Sequence, residues 1–297
     1  MPKLMHFFKQ LVGRSPESGP VPDCYILTGI PRAGTTLTCK LLSEQKQVVG
    51  LNEPIPFREL QSRKDAVSRI HESLAAFREG LLRDGAAPVR GKDGRITDNH
   101  FERTASGNRK RVIKRSRVVF SKPLNEDFKL FVKHNAVFTL LLDELSTCYP
   151  CYAMVRNPLA VLGSWSTVSV PVSRGQIRYL GLLNPEAQEK LVQIEGLLNR
   201  QLFLLDFYFK TYTELPQHHI LRYENLISSN GSVLEEIIGH SYEVKTPLSG
   251  KNKGTVYSRD QMLRMGEALL AAKDHHCWRF YDRTEVEALY TFYEGQQ

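Results

Sequence analysis

The sequence predicts an α/β fold in which a central parallel sheet is flanked by helices on both faces. Two observations carry this: short apolar runs alternate with helix-length segments, and the cationic residues of the recognisable motifs fall at the ends of those runs. Candidate strands are 24–29, 48–51, 130–133, 151–155 and 218–222. Candidate helices are 34–45, 57–82, 136–145, 158–168, 186–213, 231–239 and 259–273, with 176–183 a weaker candidate. Such sheets collect ligands beyond the C-terminal ends of their strands, where Arg32, Lys133, Arg156 and Arg222 all stand. Four cations at four strand ends predict one polyanion site.

The first strand, Cys24-Tyr25-Ile26-Leu27-Thr28, runs into Gly29-Ile30-Pro31-Arg32-Ala33-Gly34-Thr35-Thr36 and then into the apolar-periodic Leu37, Leu41 and Leu42. A strand–loop–helix unit of this kind aims backbone N–H groups and a helix N-terminus at an anion. A nucleotide-hydrolase loop would carry lysine where Thr35 stands, and here the cation comes two residues before Gly34, as Arg32. Thr35 and Thr36 also fit simple helix capping. Cys151-Tyr152-Ala153-Met154-Val155 reads as a buried parallel strand, and it ends in Arg156 where a magnesium-holding aspartate would often sit. A guanidinium fork there implies direct phosphate recognition, so no metal is expected. Ser164 lies eight residues on, in a helix that Pro158 opens.

Pro31-Arg32-Ala33-Gly34-Thr35-Thr36-Leu37 and Val155-Arg156-Asn157-Pro158, with Ser164 following, resemble the 5′- and 3′-phosphate-binding elements of sulfotransferases. These enzymes take a sulfuryl group from 3′-phosphoadenosine 5′-phosphosulfate (PAPS) and release 3′,5′-adenosine bisphosphate (PAP). The resemblance extends to Asn52-Glu53-Pro54, Lys133-His134 and Arg222-Tyr223-Glu224-Asn225-Leu226, so its landmarks run from about residue 24 to 258. It implies a single P-loop sulfotransferase-like domain over residues 1–297. The loop (Pro31, Arg32, Ala33, Gly34, Thr35, Thr36) would hold the 5′-phosphosulfate, and Arg156 with Ser164 the 3′-phosphate. Tyr223 would lie near the nucleotide, though Arg222 could instead pair with Glu224 as scaffold. Lys251 and Lys253 would belong to a basic loop closing over the 3′-phosphate. Glu53 is the candidate general base, His134 its substitute, and Lys133 would neutralise the departing oxygen. The loop wording is closest to protein-tyrosine sulfotransferases and their bacterial relatives.

The acceptor this implies is first a tyrosine in an acidic peptide, with a carbohydrate or small-molecule phenol as the alternative. Residues 54–133 carry 19 Lys or Arg against 10 Asp or Glu, which accounts for the whole formal net charge of +8. Residues 85–117 read as a mobile basic insertion, with six cations and no acid between Arg109 and Arg117. Such a run is ordinarily a solvated loop, and its functional alternative is an electrostatic funnel for an acidic acceptor. A P-loop kinase would need the missing lysine and a magnesium carboxylate. A non-catalytic basic nucleotide- or nucleic-acid-binding protein would explain the basic run, but stacking aromatics are not interleaved with the charges, and no nucleic-acid partner is expected.

With 297 residues and 41% apolar content the chain can bury a substantial core. No run of 18 apolar residues exists and the start lacks a signal-peptide pattern, so a cytoplasmic enzyme without stable membrane insertion is the expectation. Residues 1–22 read as an N-terminal arm, and a homodimer is compatible with the sequence. Five cysteines, an odd number, argue against a disulfide scaffold. Cys148-Tyr149-Pro150-Cys151 has redox spacing but precedes a strand, the wrong context for a thioredoxin-like pair. Together with His275-His276-Cys277 it would form a zinc site only if the fold brought the two together.

Overall fold

The computed structural model describes residues 19–103 and 109–296. A five-stranded parallel sheet carries the chain, ordered β2 (Val48–Asn52), β7 (Lys129–Lys133), β1 (Cys24–Gly29), β8 (Cys151–Val155), β9 (Ile220–Arg222). Every residue of β2 and β8 is buried, the signature of strands covered on both faces. Successive side chains of β1 point to opposite faces. Thr28 bonds the Thr139 hydroxyl (2.8 Å), which in turn bonds Tyr212, so helices Ala136–Leu140 and Leu197–Tyr212 cover one face. Its neighbour Gly29 lies against Thr35, placing helix Thr35–Ser43 on the other.

From β1 the chain leaves toward β2 at one edge of the sheet, and from the adjacent β8 toward β9 at the other. The loops after β1 and β8 therefore stand side by side at a topological switch point, where α/β sheets bind ligands.

The crossover from β2 to β7 departs most from expectation. Residues 85–117, read as a mobile basic loop, contain two antiparallel ribbons: β3 (Ala86–Gly91) with β6 (Lys114–Val119), and β4 (Phe101–Arg103) with β5 (Arg109–Arg111). Buried Ala87, Val89 and Val118 anchor the first ribbon to the core, a pattern hidden by the arginines on its other face. Residues 104–108, and residues 1–18 of the expected N-terminal arm, lie outside the described residues.

Helix boundaries shift where local chemistry demands it. The expected helix 57–82 begins at Arg63, where the Ser62 side chain accepts from the Asp65 N–H (3.1 Å). The expected 186–213 divides into Pro185–Val192 and Leu197–Tyr212, because Gly196 (φ 79°, ψ 139°) takes a positive-φ extended conformation open to glycine. Segment 136–145 breaks into Ala136–Leu140 and Leu142–Leu145, 231–239 shrinks to Glu235–Ile238 behind a 3₁₀ turn, and strand 218–222 shortens because 217–219 form another such turn. Helices Tyr223–Ser228 and Arg283–Glu294 were not anticipated. No helix among the described residues is long and apolar enough to cross a membrane.

Candidate active site

A cleft of about 870 Å³ opens over the C-terminal ends of the strands. Eight arginines and three lysines line it against three carboxylates, so its interior is strongly positive.

The floor is the loop after β1. Its first turn closes through Ala33 N–H to Ile30 O (2.9 Å), and Trp165 Nε1 donates to Pro31 O (2.7 Å), pinning the loop to helix Pro158–Ser166. Gly34 caps helix Thr35–Ser43 at φ 94°, with no side-chain cap, so the N–H groups at this N-terminus are left for a ligand. A side chain at Gly34 would also strike the Tyr223 ring. Arg32 is held at φ 77°, a conformation uncommon outside glycine, which marks a locally constrained backbone.

Arg32 joins the loop after β1 to helix Pro158–Ser166. Its Nε donates to Ser164 Oγ (3.2 Å), its Nη1 to Asn99 Oδ1 (3.0 Å), and its guanidinium lies 5.2 Å over the Phe101 ring. Burial, with Arg109 and Arg156 nearby, pulls its pKa down to about 10, which still leaves it charged. Arg156 is turned inward: Nη1 donates to Arg32 O (3.0 Å), Nη2 to Lys251 O (2.7 Å) and Nε to Asn252 Oδ1 (2.7 Å), above the Tyr223 ring at 4.7 Å. Tyr223 Oη accepts from Lys251 N–H (3.1 Å). Arg32, Ser164, Arg156, Tyr223 and Lys251 thus share one end of the cleft, with the Lys251 ammonium resting on Ser249 Oγ (2.8 Å).

Two expected cations are not part of this group. Lys253 lies 4.9 Å over the Phe292 ring, away from the cleft. Arg222 pairs with Glu285 and stacks on Tyr281 (4.2 Å), so it braces helix Arg283–Glu294 instead of meeting a ligand or pairing with Glu224. The cleft therefore gathers three of the four strand-end cations, Arg32 and Arg156 at this end and Lys133 on the far wall. Glu224 instead accepts from Asn157 N–H (3.0 Å) and Asn252 Nδ2 (2.8 Å), which positions the basic loop.

The far wall starts at the ends of β2 and β7, where Asn52 and Lys133 are in register. Glu53, at φ 46°, turns its carboxylate into the cleft: Oε1 meets Lys133 Nζ at 3.1 Å and Oε2 meets Arg90 Nε at 3.5 Å. The Lys133 side chain is 1% exposed and that of Glu53 is 23% exposed. Burial would raise the Glu53 carboxyl, but Lys133 foremost, with Arg90, holds it well below the ordinary carboxylate range. His134 accepts from Ile55 N–H at Nε2 (3.2 Å) and meets Phe57 edge-on; burial drives its pKa down to about 3, so the ring is neutral. With Nε2 committed to the backbone, His134 positions the segment after Glu53 and is the weaker candidate base.

Sequence reasoning missed His100. Its Nε2 lies 3.2 Å from Thr36 Oγ1 and 2.9 Å from Asn52 Nδ2, joining the ribbon to helix Thr35–Ser43 and β2, and burial lowers its pKa to about 3. Nothing in the polar stretch around it signalled this. Asn52 also donates to Arg90 O (2.7 Å), docking the ribbon on the sheet. Cys24, Cys39, Cys148, Cys151 and Cys277 are all free, and His275 and His276 both face Asp206. Among the described residues, no cluster of histidine, cysteine and carboxylate groups could hold a metal.

The arrangement can grip a polyanion at one end and place a carboxylate and an ammonium at the other. No protein-family model and no curated protein matches this chain.

Proposed function

We propose that this chain is a P-loop sulfotransferase that moves a sulfuryl group from PAPS to an acceptor hydroxyl. The observation that carries the reading is the contact of Arg32 with Ser164 (3.2 Å) and of Arg156 with Arg32 O (3.0 Å), which unites two motif halves more than 120 residues apart over one helix N-terminus. The residues fit the donor: loop N–H groups, Arg32, Thr35 and Thr36 suit the 5′-phosphosulfate, and Arg156, Ser164 and Lys251 suit the 3′-phosphate. Bound PAPS would supply an electrophilic sulfur with PAP as its leaving group.

In the transfer, the bond from acceptor oxygen to sulfur forms as the bond from sulfur to phosphate oxygen breaks, and the hydroxyl proton goes to a base. Glu53 is ionised throughout the working range and is the group to receive it. Lys133, beside it, offers positive charge to the oxygen that departs. The ion pair between them means that ligands must draw Lys133 off Glu53 before the carboxylate is an effective base. The acceptor is an anionic hydroxyl compound; tyrosine in an acidic peptide is the first choice, a carbohydrate or small phenol the alternative, and a cytoplasmic site of action belongs to the same reading. Calorimetry with PAP, AMP and ATP tests the donor assignment. PAP is expected to bind much more tightly than AMP; equal affinities, or steady ATP turnover, would overturn it.

A further inference from the structure

The half of the cleft beyond Glu53 holds a concentration of cations that the donor does not explain. Arg90 on β3 and Arg115 on β6 are directly opposed in the antiparallel ladder, and both line the cleft. Cross-strand residues stand ~4.5–5.5 Å apart at Cβ, and like charges so placed destabilise the sheet. Arg58 and Arg178 reach the same region from the segment after β2 and from the loop before helix Leu180–Leu183. Glu53 meets Arg90 through one oxygen only, and no carboxylate among the described residues ion-pairs with Arg58, Arg115 or Arg178. Arg115 donates to Ile55 O (3.3 Å) and Arg178 lies over Tyr179 (4.7 Å), contacts that orient them without neutralising them. Mutual repulsion is felt: burial first, then Arg90, Arg58 and Arg178, bring Arg115 down to about 10.

We propose that Arg90 and Arg115, with Arg58 and Arg178, form a second anion pocket next to Glu53 that takes a phosphate or sulfate monoester carried by the acceptor close to its reacting hydroxyl. The proposal rests on the sulfotransferase reading for the role of the pocket, and on the structure alone for its existence. Two opposed guanidiniums offer paired N–H forks, which the three terminal oxygens of a monoester satisfy together, with one negative charge for sulfate and up to two for phosphate, whereas one carboxylate occupies a single fork. Carboxylates spaced along an acidic peptide would distribute over the outer cleft instead. Because Glu53 bridges Lys133 and Arg90, the recognised ester must lie within a residue or sugar unit of the hydroxyl.

The test titrates inorganic phosphate and pyrophosphate into the full chain, with and without saturating PAP, for the wild type and for Arg115→Gln and Arg178→Gln. One further anion is expected beside bound PAP, weakened at least ~10-fold in either variant while PAP affinity stays within about twofold. Arg115→Gln should also keep or raise the melting temperature, since a like-charge pair is removed; a purely structural arginine would lower it. No second anion, or anion binding indifferent to both substitutions, would overturn the pocket. Failure of PAP itself to bind would instead end the sulfotransferase reading, and phosphate titration of the two variants would still decide the pocket. Transfer to an acidic, ester-free tyrosine peptide as fast as to a peptide or saccharide bearing the ester would likewise count against it.

Discussion

Replacing Glu53 by glutamine separates the charge of this residue from its shape. Breaking a buried ion pair by removing one partner costs ~3–5 kcal/mol. Here the Glu53 side chain is 23% exposed. Glutamine also keeps an oxygen that Lys133 can bond, so a loss of ~1–2 kcal/mol is expected. For a chain of 297 residues that is a fall of roughly 1.5–3 °C in melting temperature. The pH dependence follows from the direction of the shift. A carboxyl held below its ordinary range stabilises the fold fully above the unfolded value near ~4.3 and loses that contribution as pH falls through its folded pKa. The gap between wild type and Glu53→Gln, measured by thermal unfolding, should thus be widest at neutral pH and narrow below about pH 4. In a labelled-donor transfer assay turnover should drop ~10²–10⁴-fold, with PAP affinity nearly unchanged. Undiminished turnover would refute Glu53 as the base, and a gap independent of pH would refute the ion pair as the source of the stability.

With His100 and His134 both lowered to about 3 and Glu53 held lower than an ordinary carboxyl, none of the three titrates near neutrality. The profile of kcat/KM should therefore show no acidic limb between about pH 5 and 7, and a limb there would assign an essential role to another group. Lys253→Ala is expected to leave PAP affinity within about twofold, whereas Arg156→Lys, which cannot reproduce the fork that holds Lys251 O, Asn252 and Arg32 O, should weaken it at least ~10-fold by calorimetry. Glu285→Ala removes both the Arg222 pair and the acceptor of Asp282 N–H (3.0 Å). It should lower stability by ~1–2 kcal/mol in denaturant unfolding without changing PAP affinity, and loss of affinity would return Arg222 to the site.

Strands β1 and β8 were legible to the residue, because a strand buried on both faces is an uninterrupted apolar run bounded by turn residues. That Arg32, Arg156 and Ser164 meet at one end of the cleft was legible for a related reason: their offsets from the ends of β1 and β8 fix where they stand. The ribbons were not, since the run around Arg109–Arg111 and Lys114–Arg117 has charges where alternation should show, and a cleft-facing strand of cations reads like a solvated loop. Arg222 was misplaced because its partner lies on Arg283–Glu294, a helix whose Val286, Leu289 and Tyr293 spacing and Asp282–Glu285 capping box were available signals. His100 shows the limit of local reasoning. Its two partners, Thr36 and Asn52, come from separate elements, and only the assembled fold brings them together.

The excursion from β2 to β7 has an evolutionary consequence. Every guanidinium of the outer cleft save Arg178 belongs to that single stretch of chain, while the loops that suit a nucleotide leave the sheet at β1, β8 and β9. Helix Arg63–Asp84 and the inner face of the first ribbon hold the excursion to the core, while Asn52 and His100 fasten the ribbons beside the cleft. Descent could therefore exchange the cleft-facing side chains of the ribbons and retarget the outer cleft, leaving the loops after β1 and β8 intact. Divergent descendants of such a chain would keep the wording of the loops after β1 and β8 and vary most along the cleft-facing positions of the ribbons.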